Sequence, residues 1–199
     1  EINYTNEECG YMEAEQIESR IAKMMSRQRF SHSIGVREAA AALAQRYGAD
    51  VQKAALAGLV HDCVKEMDYD EMIKLCAEMG VDLDSVTLAE KKLIHARLGA
   101  QYAKCVFGID DDEIYDAIRY HTTGKANMPI LTKILYVADF IEPNRDFDGV
   151  EEIREKAFEN IDLAILDGLD YTITRMVTSK RMLHPETVNA RNYIILNFR

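Results

Sequence analysis

The stretch AGLVHDCVKE, Ala57 to Glu66, places His61, Asp62 and Lys65 directly after a run of small and apolar residues. The apolar part is typical of a buried helix, so it predicts that the polar part lies in or beside the core. Two interpretations are open at this point. Either an ordinary helix emerges here into solvent, or His61 and Asp62 are neighbouring ligands that hold a metal ion. The adjacent pair alone does not decide between them.

Helical periodicity extends outward from this stretch over almost the whole chain. Asp50 is placed to cap the helix that contains it, while Gly48 and Gly80 suit helix C-termini. The other predicted helices span about 13–28, 32–48, 69–80, 88–107, 112–121, 129–142, 150–158, 161–179 and 185–196, with a loop at 81–86. No alternating run is long enough to propose a strand. The sequence therefore predicts an all-α, single-domain helical bundle over residues 13–199, preceded by an N-terminal extension over residues 1–12.

The composition narrows the class of protein. The chain has 199 residues, of which 48% are hydrophobic, and a formal net charge of -10. This acidic balance disfavours broad binding to nucleic acid or to anionic membranes, both of which need a basic face. No segment approaches the roughly 18 consecutive apolar residues of a membrane span, and the first residues lack the pattern of a secretion signal. The cysteines form no CxxC pair, so we expect reduced thiols and a cytoplasmic protein: Cys9, Cys63, Cys76 and Cys105.

Four of the five histidines lie on or beside separate predicted helices: His32, His61, His95 and His121. Their spacing is too wide for a linear motif, but a helical bundle can bring side chains from several helices to one point in its core. Neutral imidazole suits iron, manganese and zinc alike. Taken singly, each histidine is more often a surface residue or a satisfied core residue. His184 has no partner close in sequence, and we expect it to set the start of the last helix.

Asp139 is the sharper observation, because it lies in ILYVADFIE with apolar residues on every helical face. An unpaired carboxylate there would cost several kcal/mol to bury, or it would become neutral. One interpretation is an ion pair with Lys133 or Arg145. The other is a cation at the centre of the bundle, which neutralises the carboxylate and uses it as a ligand. We favour the cation.

Lys65 also has two interpretations, one with a metal beside it and one without. In a continuous helix it would lie one turn beyond His61 and share a face with that residue and with Asp62. It could be a solvated charge at a helix end. Facing a pair of metal ligands, it would hold a phosphate beside the ion.

The order His32, then His61 and Asp62, then Asp139 resembles the HD-domain metal-dependent phosphohydrolases. Within that superfamily of helical bundles, the details resemble the bacterial symmetrical dinucleoside tetraphosphatases. Six stretches support the resemblance, between Arg29 and about residue 194: RFSHSIGV, AGLVHDCVKE, IHARLGA, RYHTTG, ILYVADFIEPNRDFDGV and HPETVNARNYI. The His-Asp pair alone would be weak, but six stretches in the family's order are a strong signal.

The resemblance implies an enzyme that hydrolyses diadenosine tetraphosphate at its centre to give two ADP. It implies a divalent metal, iron in the first place, although the same ligands accept manganese, cobalt or zinc. By position, the metal ligands are His32, His61, Asp62 and Asp139. Two further histidines, His95 and His121, hold a second ion or contact the phosphates. A homodimer is expected from the resemblance alone.

The resemblance also assigns a nucleotide pocket. The residues expected to bind the substrate are Ser31, Lys65, His95, His121, Thr122, Asp139, Arg145, Tyr171 and Arg175. Of these, Tyr171 and Arg175 are expected near the base or ribose. The residues expected to act in catalysis are Lys65, His95, His121 and Asp139.

The chemistry of these residues independently favours a phosphohydrolase. Two histidines and two aspartates leave coordination positions open for water and phosphate, and a bound metal lowers the pKa of that water. We expect metal-bound water to attack a central phosphorus, with ADP as the leaving group. Two rival functions are another HD-domain phosphohydrolase, such as a nucleotidase or a cyclic-nucleotide phosphodiesterase, and a sensor that binds ADP-like ligands without turnover. A purely structural helical domain is the weakest interpretation, because it leaves Asp139 unexplained.

Overall fold

The computed structural model describes residues 12–197, in which the chain forms eleven α-helices and no β-strand. This confirms the predicted all-α fold. The predicted N-terminal extension, apart from its last residue, lies outside the described residues, and so does Cys9. Among the described helices, none is long and apolar enough to cross a membrane. The helices are α1 (Ala14–Met24), α2 (Arg27–Tyr47), α3 (Val51–Val60), α4 (Tyr69–Glu78), α5 (Ser85–Ala89), α6 (Lys91–Phe107), α7 (Asp112–Tyr120), α8 (Ile130–Ile141), α9 (Val150–Glu159), α10 (Ile161–Thr178) and α11 (Pro185–Asn197).

Helix α8 is the central element of the bundle. It packs against α2, α3, α7, α9 and α10. Its apolar residues on successive faces are almost fully buried, among them Ile134, Leu135, Val137 and Ala138. A helix that is apolar on all sides is driven to the middle of a core, because any exposed face would leave hydrocarbon in water. Asp139, the next residue along α8, is thereby placed at the interior end of this central helix.

The boundary between α1 and α2 differs from the prediction. The predicted helix over residues 13–28 ends at Met24, and α2 begins at Arg27. The hydroxyl of Ser26 accepts a hydrogen bond from the amide of Arg29, which caps α2. Ser26 also donates its own amide and hydroxyl to the carboxylate of Glu66, at 2.6 and 2.8 Å. The break therefore depends on a contact between segments forty residues apart, which periodicity within one helix cannot reveal.

The stretch after Ala57 also departs from the prediction of one continuous helix. Helix α3 ends at Val60, and the polar residues that follow form successive turns, as in the hydrogen bond from the amide of Lys65 to the carbonyl of Asp62 at 3.0 Å. The ring Nδ1 of His61 donates to the carbonyl of Gly58 at 2.7 Å, so a side chain satisfies a carbonyl near the end of the helix. The polar part of the stretch is thus the cap of a helix and not its continuation.

A second local difference lies between α4 and α6. The predicted loop at 81–86 contains the start of the short helix α5, and α6 begins at Lys91 and not at Leu88. The carboxylate of Asp84 accepts from the amides of Val86 and Thr87, which is enough to nucleate a single turn of helix.

Gly58 allows the close approach of α2 and α3. A Cβ atom added at this position would lie 2.8 Å from the Cα of Arg37 and 2.9 Å from its amide nitrogen, both of them backbone atoms that cannot move aside. This packing brings α3 against α2, and the ring of His61 lies 5.3 Å from the ring of His32 between their centroids. The glycine is therefore needed for the geometry of the site as well as for packing.

We expect Gly58→Ala to lower the free energy of unfolding by about 1–3 kcal/mol, because an added methyl group must push two helix backbones apart. Denaturant unfolding followed by circular dichroism measures the effect. Gly168→Ala is the matched control, since its new Cβ would meet its nearest neighbour, the ring of Tyr136, at an ordinary 3.5 Å. That control should be neutral or stabilising by about 0.5–1 kcal/mol. Equal stability of the two variants would contradict this account of the contact.

Candidate metal centre

The polar residues singled out in the sequence meet at one point inside the bundle. Helix α2 supplies His32, the segment after α3 supplies His61 and Asp62, α6 supplies His95, the end of α7 supplies His121, and α8 supplies Asp139. Their ligand atoms form two groups that share His61, and within each group the atoms lie within 4.8 Å of one another. The first group adds His32 and Asp139, and the second adds Asp62 and His121. Both groups could hold a metal ion.

The carboxylate of Asp62 lies between the two sets of histidines. Its side chain is fully buried, with Oδ2 3.3 Å from the Nε2 atom of His61 and 3.5 Å from that of His32. Its other oxygen, Oδ1, lies 3.1 Å from the Nε2 atom of His95 and 3.4 Å from that of His121. Each oxygen of this one carboxylate therefore faces a different pair of rings.

Three of the four histidine rings are oriented by hydrogen bonds at Nδ1. The Nδ1 atom of His61 donates to a backbone carbonyl, and that of His121 donates to the carbonyl of Ile118 at 2.7 Å. The Nδ1 atom of His32 contacts the carboxylate of Glu142 at 3.0 Å. In a neutral imidazole these contacts leave Nε2 as the atom with the free lone pair, and in each ring that atom faces the centre.

The chemistry of this donor set fits a metal ion. The Nε2 atoms of His32 and His61 are buried and have no hydrogen-bond partner among residues 12–197. The Nε2 atom of His32 nevertheless lies 3.1 Å from Oδ1 of Asp139. Lone pairs and carboxylate oxygens that converge without a proton between them repel one another, and a cation removes that repulsion.

The position of Asp139 is compatible with both interpretations of the sequence. Its Oδ1 accepts from Nη2 of Arg145 at 2.5 Å, so the expected alternative of an ion pair is present. The same oxygen faces His32, as a metal ligand should. Lys133, the other proposed partner, pairs with Asp162 at 2.6 Å and takes no part. The ion pair and the metal site are therefore compatible.

The electrostatics keep the ligands in their metal-binding protonation states. Burial by itself would raise the pKa of Asp62, but the charge of Lys65 and the contacts from the rings of His61 and His121 hold that pKa well below its usual range. The same balance, with contacts from His32 and Arg145, keeps the pKa of Asp139 low. Burial lowers the pKa of His61, and it lowers the pKa of His95 to about 4. At neutral pH, both carboxylates are charged and these two rings are free to act as ligands.

Two residues at the centre were missed in the sequence. Glu142 is buried and orients His32, while its other carboxylate oxygen accepts from the amide of Asn144 at 2.8 Å. Arg29 donates from Nη1 to Oδ2 of Asp62 at 2.9 Å. A charged residue directly after the apolar helix ILYVADFI was the available signal for Glu142. Nothing in the local pattern distinguishes Arg29 from a surface arginine.

The centre opens into a cavity of about 480 Å³, a volume typical of a small-molecule site. Eight of the nine residues predicted to bind the substrate line this cavity: Lys65, His95, His121, Thr122, Asp139, Arg145, Tyr171 and Arg175. The ninth, Ser31, is exposed on α2 and is not part of the lining. His184 also lines the cavity. Its Nδ1 accepts from the amide of Glu186 at the start of α11, as expected from the sequence.

The geometry defines a buried His/Asp centre in a helical bundle, and the sequence pattern described as "HD domain" matches residues 29–144. A relative from Halalkalibacterium halodurans, named "Bis(5'-nucleosyl)-tetraphosphatase, symmetrical", is 41% identical over 86% of this chain and 91% of its own length. A protein of the same name from Bacillus subtilis is 34% identical over 88% of this chain and 94% of its own length.

A solved structure agrees with the fold. It comes from Clostridium acetobutylicum and is described as a predicted HD superfamily hydrolase involved in NAD metabolism. It matches with a TM-score of 0.92 and 39% identity, over 94% of this chain and 100% of the solved one. The chain belongs to the HD-domain family, and within it to the group that contains the symmetrical bis(5'-nucleosyl)-tetraphosphatases.

We expect Glu142→Ala to weaken metal binding by about 10–100-fold, because the ring of His32 loses the carboxylate that fixes its orientation. The affinity is measured by titrating Mn²⁺ or Fe²⁺ into metal-free protein against a competing chelator. Glu152→Ala removes an exposed carboxylate in the first turn of α9 and should leave the affinity unchanged. Equal affinities in the two variants would contradict the proposed role of Glu142.

The free energy of unfolding of the metal-free protein should fall as the pH is lowered from 6.5 toward roughly 5. Unfolded His95 takes up a proton near its ordinary pKa of 6.5, whereas the folded residue, with a pKa of about 4, does not. The contribution of His95 to the free energy of unfolding is therefore fully present above pH 6.5. It is lost below pH 6.5, by up to about 1.4 kcal/mol per pH unit.

Urea unfolding in the presence of a chelator measures this dependence. His95→Gln cannot titrate, so its stability should change less steeply over the same interval. A wild-type protein that is equally stable at both ends of the interval, or a variant with an unchanged slope, would rule out this assignment.

Proposed function

We propose that this protein is a metal-dependent hydrolase that cleaves diadenosine tetraphosphate symmetrically, giving two ADP. The observation that carries the proposal is a buried His/Asp centre opening into a cation-lined cavity, in a chain similar over most of its length to enzymes named for this reaction. The substrate is accordingly a small dinucleoside polyphosphate, and ADP is the expected product.

We assign the metal to His32, His61, Asp62 and Asp139, with His95 and His121 available for a second ion or for the phosphates. The orphaned Nε2 atoms of His32 and His61 and the converging carboxylate oxygens of Asp62 and Asp139 support this assignment. When bound, a divalent metal provides hydroxide near neutral pH and withdraws charge from the phosphoryl oxygen under attack. Iron is our first choice, from the resemblance. Manganese, cobalt and zinc suit the same nitrogen and oxygen donors.

The charge balance of the centre favours an anionic ligand. Three carboxylates are matched by three cations: Asp62, Asp139 and Glu142 by Arg29, Lys65 and Arg145. A divalent cation added to this balanced set gives a net positive centre next to an open cavity. A polyphosphate chain restores neutrality, and the water-poor surroundings strengthen that attraction.

Two cations stand where phosphate oxygens would approach the ligands. The Nζ atom of Lys65 lies 2.9 Å from Oδ2 of Asp62, and both Lys65 and Arg145 also line the cavity. Lys65 provides a compact charge, whereas Arg145 presents a planar fork that matches two phosphate oxygens. Attack of water on one of the two central phosphorus atoms would release ADP, whose terminal phosphate is stable as an anion. A strong general acid is therefore unnecessary.

An aromatic group beside the centre suits a nucleobase. The rings of Phe147 and Tyr171 are 4.6 Å apart, and Phe140 meets each of them at 6.3 Å. All three residues line the cavity, and Arg175 follows Tyr171 by one turn of α10. Flat aromatic surfaces with a nearby guanidinium bind purine bases by stacking.

We also propose a cytoplasmic location and a homodimer. Among residues 12–197, three cysteines form no disulfide and two of them are buried, which agrees with reduced thiols. The homodimer rests on the family resemblance alone.

The decisive experiment is incubation of the metal-loaded protein with diadenosine tetraphosphate, followed by chromatographic separation of the nucleotides. We expect ADP as the single nucleotide product, at two molecules per substrate consumed. AMP with ATP would contradict symmetrical cleavage. No product with metal present would favour the alternative of a nucleotide sensor, and turnover of mononucleotides or cyclic nucleotides alone would favour another HD-domain phosphohydrolase.

His61→Ala and Asp139→Asn test the site within the same assay. Each removes one ligand from the group that could hold the metal, so each should lose bound metal and turnover together. Metal content is measured by atomic emission after gel filtration. A variant that keeps full turnover would show that the assignment of the ligands is wrong.

A further inference from the structure

Two groups of residues line parts of the cavity beyond the metal centre. The first group, here called the aromatic wall, consists of Phe140, Phe147, Tyr171 and Arg175. The second group, here called the strap wall, consists of Lys92, Leu93, Met182 and Leu183. The strap wall combines the first turn of α6 with the segment between α10 and α11. The family resemblance assigns no role to the strap wall.

The segment between α10 and α11 is held in place at both ends. Arg181 pairs with Glu90, with Nε 3.3 Å from Oε2 and a closer contact from Nη2. His184 contacts Oδ2 of Asp84 at 3.1 Å through Nε2. Both partners are N-cap residues, Asp84 of α5 and Glu90 of α6. Met182 and Leu183, which lie between Arg181 and His184, are thereby held against the cavity.

An apolar surface results at this wall. Met182 lines the cavity while 51% of its surface is exposed, and Leu183 beside it is half-buried. Lys180 adopts φ 55° to turn the chain at this point, a conformation that costs free energy for a residue other than glycine. The flexible thioether side chain of Met182 can adapt its shape to a flat ring that enters the cavity.

Each wall also carries one cation without a carboxylate partner. Among the cavity cations, Lys65, Arg145 and Arg181 are engaged in ion pairs. Lys92 and Arg175 have no ion pair within residues 12–197, although both line the cavity. Lys92 belongs to the strap wall and Arg175 to the aromatic wall. The two walls thus offer the same combination, an apolar surface and a cation that is free to bind phosphate.

The symmetry of the substrate requires two such places. Diadenosine tetraphosphate has identical arms on either side of the bond that breaks, each with one base, one ribose and two phosphates. With the central phosphates at the metal centre, both arms cannot occupy one wall. We propose that the strap wall binds the second nucleotide arm, with Lys92 on its phosphates and Met182 and Leu183 against its nucleoside, while the aromatic wall binds the first.

This inference rests on the proposed hydrolysis and explains a preference for dinucleotides. Adenosine 5'-tetraphosphate has one arm only, and its central cleavage gives ADP and pyrophosphate. Water supplies the new P–O bond, and the bridging oxygen leaves with the other fragment, as for the dinucleotide. The single nucleoside would occupy the aromatic wall and leave the strap wall empty.

The test compares kcat/KM for the two tetraphosphates in the metal-loaded protein. The wild-type protein should prefer the dinucleotide. In the double variant Lys92→Ala, Met182→Ala, kcat/KM for the dinucleotide should fall about tenfold or more, the effect of one charge-assisted contact. The value for adenosine tetraphosphate should fall by much less, so the preference approaches one. Both positions are on the surface of the cavity, and thermal unfolding checks that the variant is folded.

Two controls fix the interpretation. Lys91→Ala removes an exposed lysine that is next to Lys92 but does not line the cavity. This variant should leave kcat/KM unchanged for both substrates. Tyr171→Ala alters the aromatic wall and should lower kcat/KM for both substrates together. Equal losses for both substrates in the strap-wall variant, or a wild-type protein without preference, would overturn the second-arm site. Failure of the proposed function is distinguishable, because the wild-type protein would then produce no ADP from either compound.

Discussion

The structure depends on the burial of one carboxylate, that of Asp62, at the point where five helical segments meet. A fully buried charge costs several kcal/mol unless its surroundings neutralise it. Here Arg29 and Lys65 approach Oδ2 from two segments, and four imidazole rings surround both oxygens. Every element that supplies one of these groups is fixed in position relative to the others. The relative positions of the residues at the site therefore follow from one electrostatic requirement.

Helix ends do much of the positioning. His61 and His121 each directly follow the last residue of a helix, and each bonds through Nδ1 to the carbonyl three residues earlier. The ring thereby closes the helix end and presents its lone pair to the centre. The sharp end of α3 at Val60 thus serves both folding and ligand geometry.

The cavity gives this centre its chemical character. A balanced set of charges surrounds the ligands, so a divalent cation makes the site positive and an anion completes it. The two walls beyond the centre differ in construction, one built from aromatic rings in contact with one another and the other from a segment held by an ion pair and a histidine–carboxylate contact. A symmetrical substrate would thus meet an asymmetrical site. That asymmetry would also decide which of the two nucleotide arms becomes the leaving group.

The sequence by itself determined the all-α class, most helix positions and the identities of the central residues, because apolar periodicity and an aspartate isolated in an apolar helix are local properties. Eight of the nine substrate-binding residues expected from the family resemblance line the cavity. Only the tertiary structure decided the break at Ser26, the end of α3, the role of Glu142 and the position of Ser31 away from the cavity. The break at Ser26 and the role of Glu142 depend on contacts between segments far apart in the chain, such as that of Ser26 with Glu66, and no local pattern records a partner forty residues away.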